Sequence, residues 1–87
     1  MSTWPSWWDW ELELSPHLFK RMADRSFNEV DVRQMLSVAT GLRPDIVPGR
    51  WVVVTRRRRH PWEGIVEPDQ DARLLVVITA YSVDSCN

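Results

Sequence analysis

The chain has 87 residues, 44% of them apolar and six of them tryptophan, which is enough for one small domain and excludes two. Eleven Lys and Arg stand against twelve Asp and Glu, so the net charge of −1 excludes the overall basic balance of a typical nucleic-acid binder. Cys86 is the only cysteine, which rules out an internal disulfide and suits a reducing, cytoplasmic setting, and no stretch resembles a signal peptide or a membrane span.

Residues 1–11 form a leader carrying Trp4, Trp7, Trp8 and Trp10, interrupted by Pro5. Four indoles so close together would expose an apolar patch if free, so the leader is expected to pack on the domain or on a partner. Glu11-Leu12-Glu13-Leu14 alternates like a short extended segment, and Ser15-Pro16 fits an N-cap followed by proline at the first helical position. A first helix is predicted over 16–24. A second starts after Asn28, a strong N-cap, with Asp31 near the positive helix end and Phe27 placed to staple onto Val32. Val32, Met35, Leu36 and Ala39 share its inner face, and Gly41 is the expected C′ stop.

Pro44, Pro48 and Gly49 mark a connection in which Asp45-Ile46-Val47 adds a short extended piece. Three β segments follow: Trp51-Val52-Val53-Val54-Thr55, a middle rung over 62–67, and an apolar run over 74–81. The last has the composition of a central strand covered on both faces. Strand parity puts Thr79 and Tyr81 on the face of Leu75 and Val77. The expected architecture is α+β, with two N-terminal helices packed on one face of a three- or four-stranded antiparallel sheet. It spans residues 12–83 and leaves 84–87 as a flexible tail.

Charge is segregated. From Arg50 to His60 there are five arginines and no acid, while Asp9, Glu11 and Glu13 lie before this run and Glu67, Asp69 and Asp71 after it. On the first helix His17, Arg21 and Arg25 recur every four residues and drift only about 40° per step, so they form one stripe. A basic stripe with a titratable imidazole suits an anion and a proton transfer, although solvated helix faces also carry such charges. In Arg56-Arg57-Arg58-Arg59, alternate side chains point to opposite sides if the strand continues, so one pair serves a given site. The hydroxyls of Thr79 and Tyr81 are either satisfied sheet residues or the polar floor of that site. Two widely separated histidines give no metal-ligand spacing, so neither metal nor cofactor is expected.

Pro16-His17, Arg21-Met22, Asp24-Arg25, Phe27, Glu29-Val30-Asp31, Gly49-Arg50-Trp51 and the closing Val76-Val77-Ile78-Thr79-Ala80-Tyr81 together resemble a family of small bacterial domains of unassigned function. That family is grouped with RelE/ParE-type toxins and, more distantly, with barnase, EndoU and colicin-type ribonucleases. The resemblance implies a RelE/ParE-like domain and metal-independent endoribonuclease chemistry of toxin type, in which a ribose hydroxyl attacks the adjacent phosphate. It implies His17, Arg21 and Tyr81 as catalytic residues. It implies Arg25 and Thr79 as substrate-binding residues, and the charge run adds Arg56, Arg57, Arg58 and Arg59, one pair of which is expected to hold the phosphate. RNA, an antitoxin or an immunity protein would be the partners. The alternative is a non-catalytic protein-binding or dimerisation module on the same fold, forming a homodimer through its leader. Ser26 stands where a glycine is common in relatives, and the tryptophan-rich leader is not explained by the family.

Overall fold

The structure is a computed structural model that describes residues 4–83; the expected tail at 84–87, with Cys86, lies outside the described residues, as does the start of the leader. Alternation makes Glu11–Leu14 strand β1, with Leu12 and Leu14 half-buried and both glutamates exposed. Ser15 then caps helix α1, Pro16–Arg25: its Oγ accepts the Leu18 N–H at 3.0 Å and donates to the Ile78 carbonyl at 2.7 Å. One hydroxyl thus starts the helix and ties it to a distant strand. The helix ends at Ser26, which adopts φ 59° and donates its N–H to the Met22 carbonyl. Helix α2, Glu29–Ser37, opens on a capping box in which Asn28 and Asp31 each accept the other's backbone N–H at 3.0 Å.

The other strands are β2 (Gly41–Pro44), β3 (Trp51–Arg57), β4 (His60–Asp69) and β5 (Leu74–Ser82), in the spatial order β1-β5-β4-β3-β2. The α+β class holds, but the expected sheet is corrected twice. It has five strands and is mixed, because β1 pairs in parallel with β5 from Glu11 opposite Leu74 to Leu14 opposite Val77. Nor do the helices lead the chain. They lie between β1 and β2, inside the long connection that leaves β1 parallel to a neighbouring strand. The two strands added to the three expected β segments, β1 from the extended Glu11–Leu14 piece and β2, are four-residue edges. Gly41 does not stop α2, which ends at Ser37; it opens β2, whose Pro44 is tolerable only on an edge. The piece expected over 45–47 is part of a turn closed by the Asp45 N–H to the Arg50 carbonyl at 2.9 Å.

Helices cover one face of the sheet. Leu18, Met22, Phe27, Val32 and Met35 meet Val53, Trp62, Val66, Leu75 and Val77 in a single buried cluster. Trp7, in a 3₁₀ turn at Ser6–Asp9, seals this layer at 5.7 Å from Trp51, and Trp8 and Trp10 pack against its rim. On the other face Val52 is 4% exposed and lies outside that cluster. Arg43, registered opposite Val52, reaches Glu63 at 3.1 Å, and Arg50 reaches Glu67 at 3.0 Å, so cross-strand ion pairs line the uncovered face. No helix among the described residues is long and apolar enough to cross a membrane.

Strand β5 lies inside the sheet between β1 and β4, as expected of its apolar run, but the helices cover only one of its faces. Its side chains also change sides. The pairing moves from Ile65–Thr79 to Val66–Val77, which leaves Ile78 as an extra residue in a bulge. Before it Leu75 and Val77 face the helices. After it Ala80 does, opposite Gly64, so Thr79 and Tyr81 turn to the helix-free face, contrary to the parity expectation.

Candidate nucleic-acid interface

One end of the sheet gathers the C-terminus of α1, the N-terminus of α2, the β3–β4 turn and the end of β5. Arg57 fixes this arrangement. Its Nη2 donates to Asp31 Oδ2 at 3.3 Å and to the Ser26 carbonyl at 3.4 Å, joining the β3–β4 hairpin to the turn between the helices. Its guanidinium also lies 6.0 Å from the Phe27 ring centroid and 5.6 Å from that of Trp62. Those two rings meet edge to face at 5.3 Å. Arg57 is thus committed to the fold, with its side chain 15% exposed.

Other basic groups at this end are uncommitted. Arg25, Arg56, Arg58, Arg59 and His60 are exposed and Arg21 is half-buried, and none of the six forms a salt bridge among the described residues. The Nε of Arg21 is buried and makes no hydrogen bond. Two hollows adjoin. One, about 240 Å³, is lined by Arg21, Arg25, Trp62, Tyr81 and Ser82; the other, about 530 Å³, by Arg57, Arg58, His60, Trp62, Ser82 and Val83. Trp62 and Ser82 belong to both, so the hollow with the helix arginines and the hollow with Arg57 and Arg58 lie side by side. Beyond the hairpin a third hollow, about 270 Å³, joins Arg56 through Arg59 to the α2 residues Asp31, Gln34, Met35 and Val38. At the far end of the sheet, Glu11 opposes Leu74 beside the turn carrying Asp69, Asp71 and Arg73, where acids outnumber the one arginine. The molecule thus has a basic pole and a predominantly acidic one.

The structure brings Arg21, Arg25 and Tyr81 together around one hollow, and Arg56, Arg57, Arg58 and Arg59 around its neighbours. His17 is different. It is exposed one turn before Arg21 and lines none of these hollows. Thr79 lies on the helix-free face opposite Ile65, its Oγ1 buried without a partner. The Tyr81 hydroxyl donates to Glu63 Oε1 at 2.8 Å, and Glu63 accepts from Arg43 through its other oxygen. Burial first, and then the hydrogen bond and charge of Glu63, raise the Tyr81 pKa above its ordinary 10.0, with Arg43 opposing. The phenol is a proton donor at neutral pH and that proton is already engaged. Nothing in the sequence marks Trp62, Ser82 or Glu63, whose places depend on the register across the bulge.

No cluster of His, Cys, Asp and Glu among the described residues has the grouping of a metal site. Comparisons with protein families, with curated proteins and with solved structures find no match for this chain.

Proposed function

We propose that this protein binds RNA, holding the phosphodiester backbone along its basic pole. The observation that carries this reading is the gathering of Arg21 and Arg25 from α1 with Arg56, Arg58, Arg59 and His60 from the β3–β4 hairpin, two segments far apart in the chain, none of the six in a salt bridge among the described residues. Crowding cations without partners raises the energy of the folded state, and a bound polyanion lowers it again. Arg21, with Nε withdrawn from solvent, gains most from an anionic partner. The acidic pole discourages indiscriminate binding and orients the approach of the ligand.

Cleavage of the bound strand is a second reading, favoured because Arg21, Arg25 and Tyr81 share a hollow. In that reaction the ribose hydroxyl attacks the neighbouring phosphate, Arg21 stabilises the developing charge, Tyr81 exchanges a proton with one reacting oxygen, and His17, which lies outside the hollow, serves the other oxygen only if it moves within reach when RNA binds. Tyr81 must then release Glu63. This reading rests on the resemblance to RelE/ParE-type toxins, with an antitoxin or immunity protein as the matching partner.

Fluorescence anisotropy of a labelled oligoribonucleotide across a salt series tests binding. The logarithm of affinity should fall with the logarithm of salt by about 0.7 per phosphate contacted, and Arg21→Ala with Arg25→Ala should flatten that slope. The same RNA incubated in EDTA tests cleavage. Metal-resistant scission lost in His17→Ala supports the enzyme, whereas intact RNA that remains bound limits the function to binding. Absence of salt-dependent binding overturns both readings.

A further inference from the structure

The β3–β4 connection is a two-residue turn in which Arg57 pairs with His60, while Arg58 and Arg59 adopt φ 51° and 71°. Two positive φ angles in sequence mark the type I′ hairpin turn, which twists in the sense of its flanking strands and strongly prefers Asn-Gly or Gly-Gly. Arginine is a poor choice at either place. Its Cβ crowds the backbone in the left-handed region, and its side chain has no short polar group to bond locally. Strain of this kind persists where surrounding structure fixes it, and Arg57 supplies that restraint through Asp31, the Ser26 carbonyl and the two aromatic rings. Neither strained side chain forms a salt bridge among the described residues, and both are exposed: Arg58 borders the hollow it shares with Trp62 and Ser82, and both Arg58 and Arg59 border the one beside α2.

We infer that the Arg58–Arg59 turn is a dedicated contact for RNA phosphates, in which folding stability is given up to hold two guanidinium groups beyond the fold. The inference rests on the RNA-binding reading above and assigns the hairpin tip a main part in it. A tip of Asn-Gly would fold better and bind worse. Arg57, held through its Nη2 by Asp31 and the Ser26 carbonyl, acts as a positioning residue that sets the distance from the tip to the helix arginines.

The test compares the wild-type chain with Arg58→Asn/Arg59→Gly and with Arg58→Lys/Arg59→Lys, measuring Tm and anisotropy of a labelled polyuridylate of about 20 nucleotides. The Asn-Gly variant should gain roughly 5–10 °C in Tm and lose about tenfold in affinity, with the salt slope falling by about 1.4 for two lost contacts. The lysine variant, which keeps both charge and backbone strain, should hold the wild-type Tm and most of the affinity. An Asn-Gly variant that gains stability but binds as tightly as wild type overturns the role of the tip and leaves the RNA-binding reading standing. A Tm that does not rise overturns the strained turn. Wild-type protein that ignores polyuridylate, or binds polyglutamate equally well, overturns the RNA-binding reading and this inference with it.

Discussion

Tyr81 and Glu63 face each other across β5 and β4, and the phenol donates to the carboxylate at 2.8 Å on the helix-free face. The bulge at Ile78 places them there; without it Tyr81 would point into the helix-facing core. Tyr81 is the only tyrosine in the chain, so tyrosinate absorbance reports this one group. Its titration midpoint should lie above 10.0, because burial and then Glu63 favour the neutral phenol. Since the folded state holds the proton more tightly than the unfolded chain, the linked stability is fully present below about pH 10 and lost as pH rises through the folded value. Glu63→Ala should move the midpoint down toward the ordinary value without reaching it, because burial remains. A midpoint at or below the ordinary value would show that the bond does not form.

Arg57 and Asp31 form the one salt bridge in which both side chains are mostly buried, 15% and 23% exposed, among the described residues. Arg57→Ala removes an ion pair, a carbonyl contact and two cation–π contacts together, and should cost about 2–3 kcal/mol in denaturant unfolding. Arg57→Lys should recover less than half of that, since a point charge cannot serve both acceptors and stack on both rings. A loss under about 0.5 kcal/mol for the alanine variant would show an ordinary surface arginine.

Trp7 carries the tryptophan-rich leader into the core. It is 8% exposed, packed on Trp51 and flanked by Trp8, which in turn stacks on Trp4 at 4.6 Å. Trp7→Ala should destabilise the domain by about 3 kcal/mol or more, while Ser6→Ala in the same turn should be nearly neutral. Equal Tm for the two variants would mean that the leader is not part of the folded unit.

Local chemistry made both helix starts legible in the sequence. Ser15-Pro16 and Asn28 with Asp31 are capped by atoms within three residues, so their geometry does not wait on the rest of the fold. Long-range pairing was not legible. Glu-Leu-Glu-Leu signals an extended segment but not its parallel partner 63 residues away, and Gly41 with Pro44 has the composition of a stop and a linker rather than an edge strand. The face of Thr79 and Tyr81 depends on one inserted residue, which composition does not announce. Charge alone would keep the basic groups apart, so their convergence is expected only if the site serves an anion, and charge could not separate Arg57, spent on Asp31 and the aromatic rings, from Arg58 and Arg59, which form no salt bridge among the described residues. His17 shares the helical stripe of Arg21 and Arg25 but not their hollow, because each four-residue step rotates it about 40° farther from the sheet-facing Leu18 and Met22.

Backbone amide NMR shifts during titration with an oligoribonucleotide show which pole meets the ligand. Saturable shifts should concentrate at Arg21, Arg25, residues 56–60 and Ser82 and weaken as salt rises, with Asp9, Glu11, Asp69 and Asp71 unmoved. Shifts centred on the acidic pole or the tryptophan leader, or none at low salt, would contradict RNA binding at the basic pole.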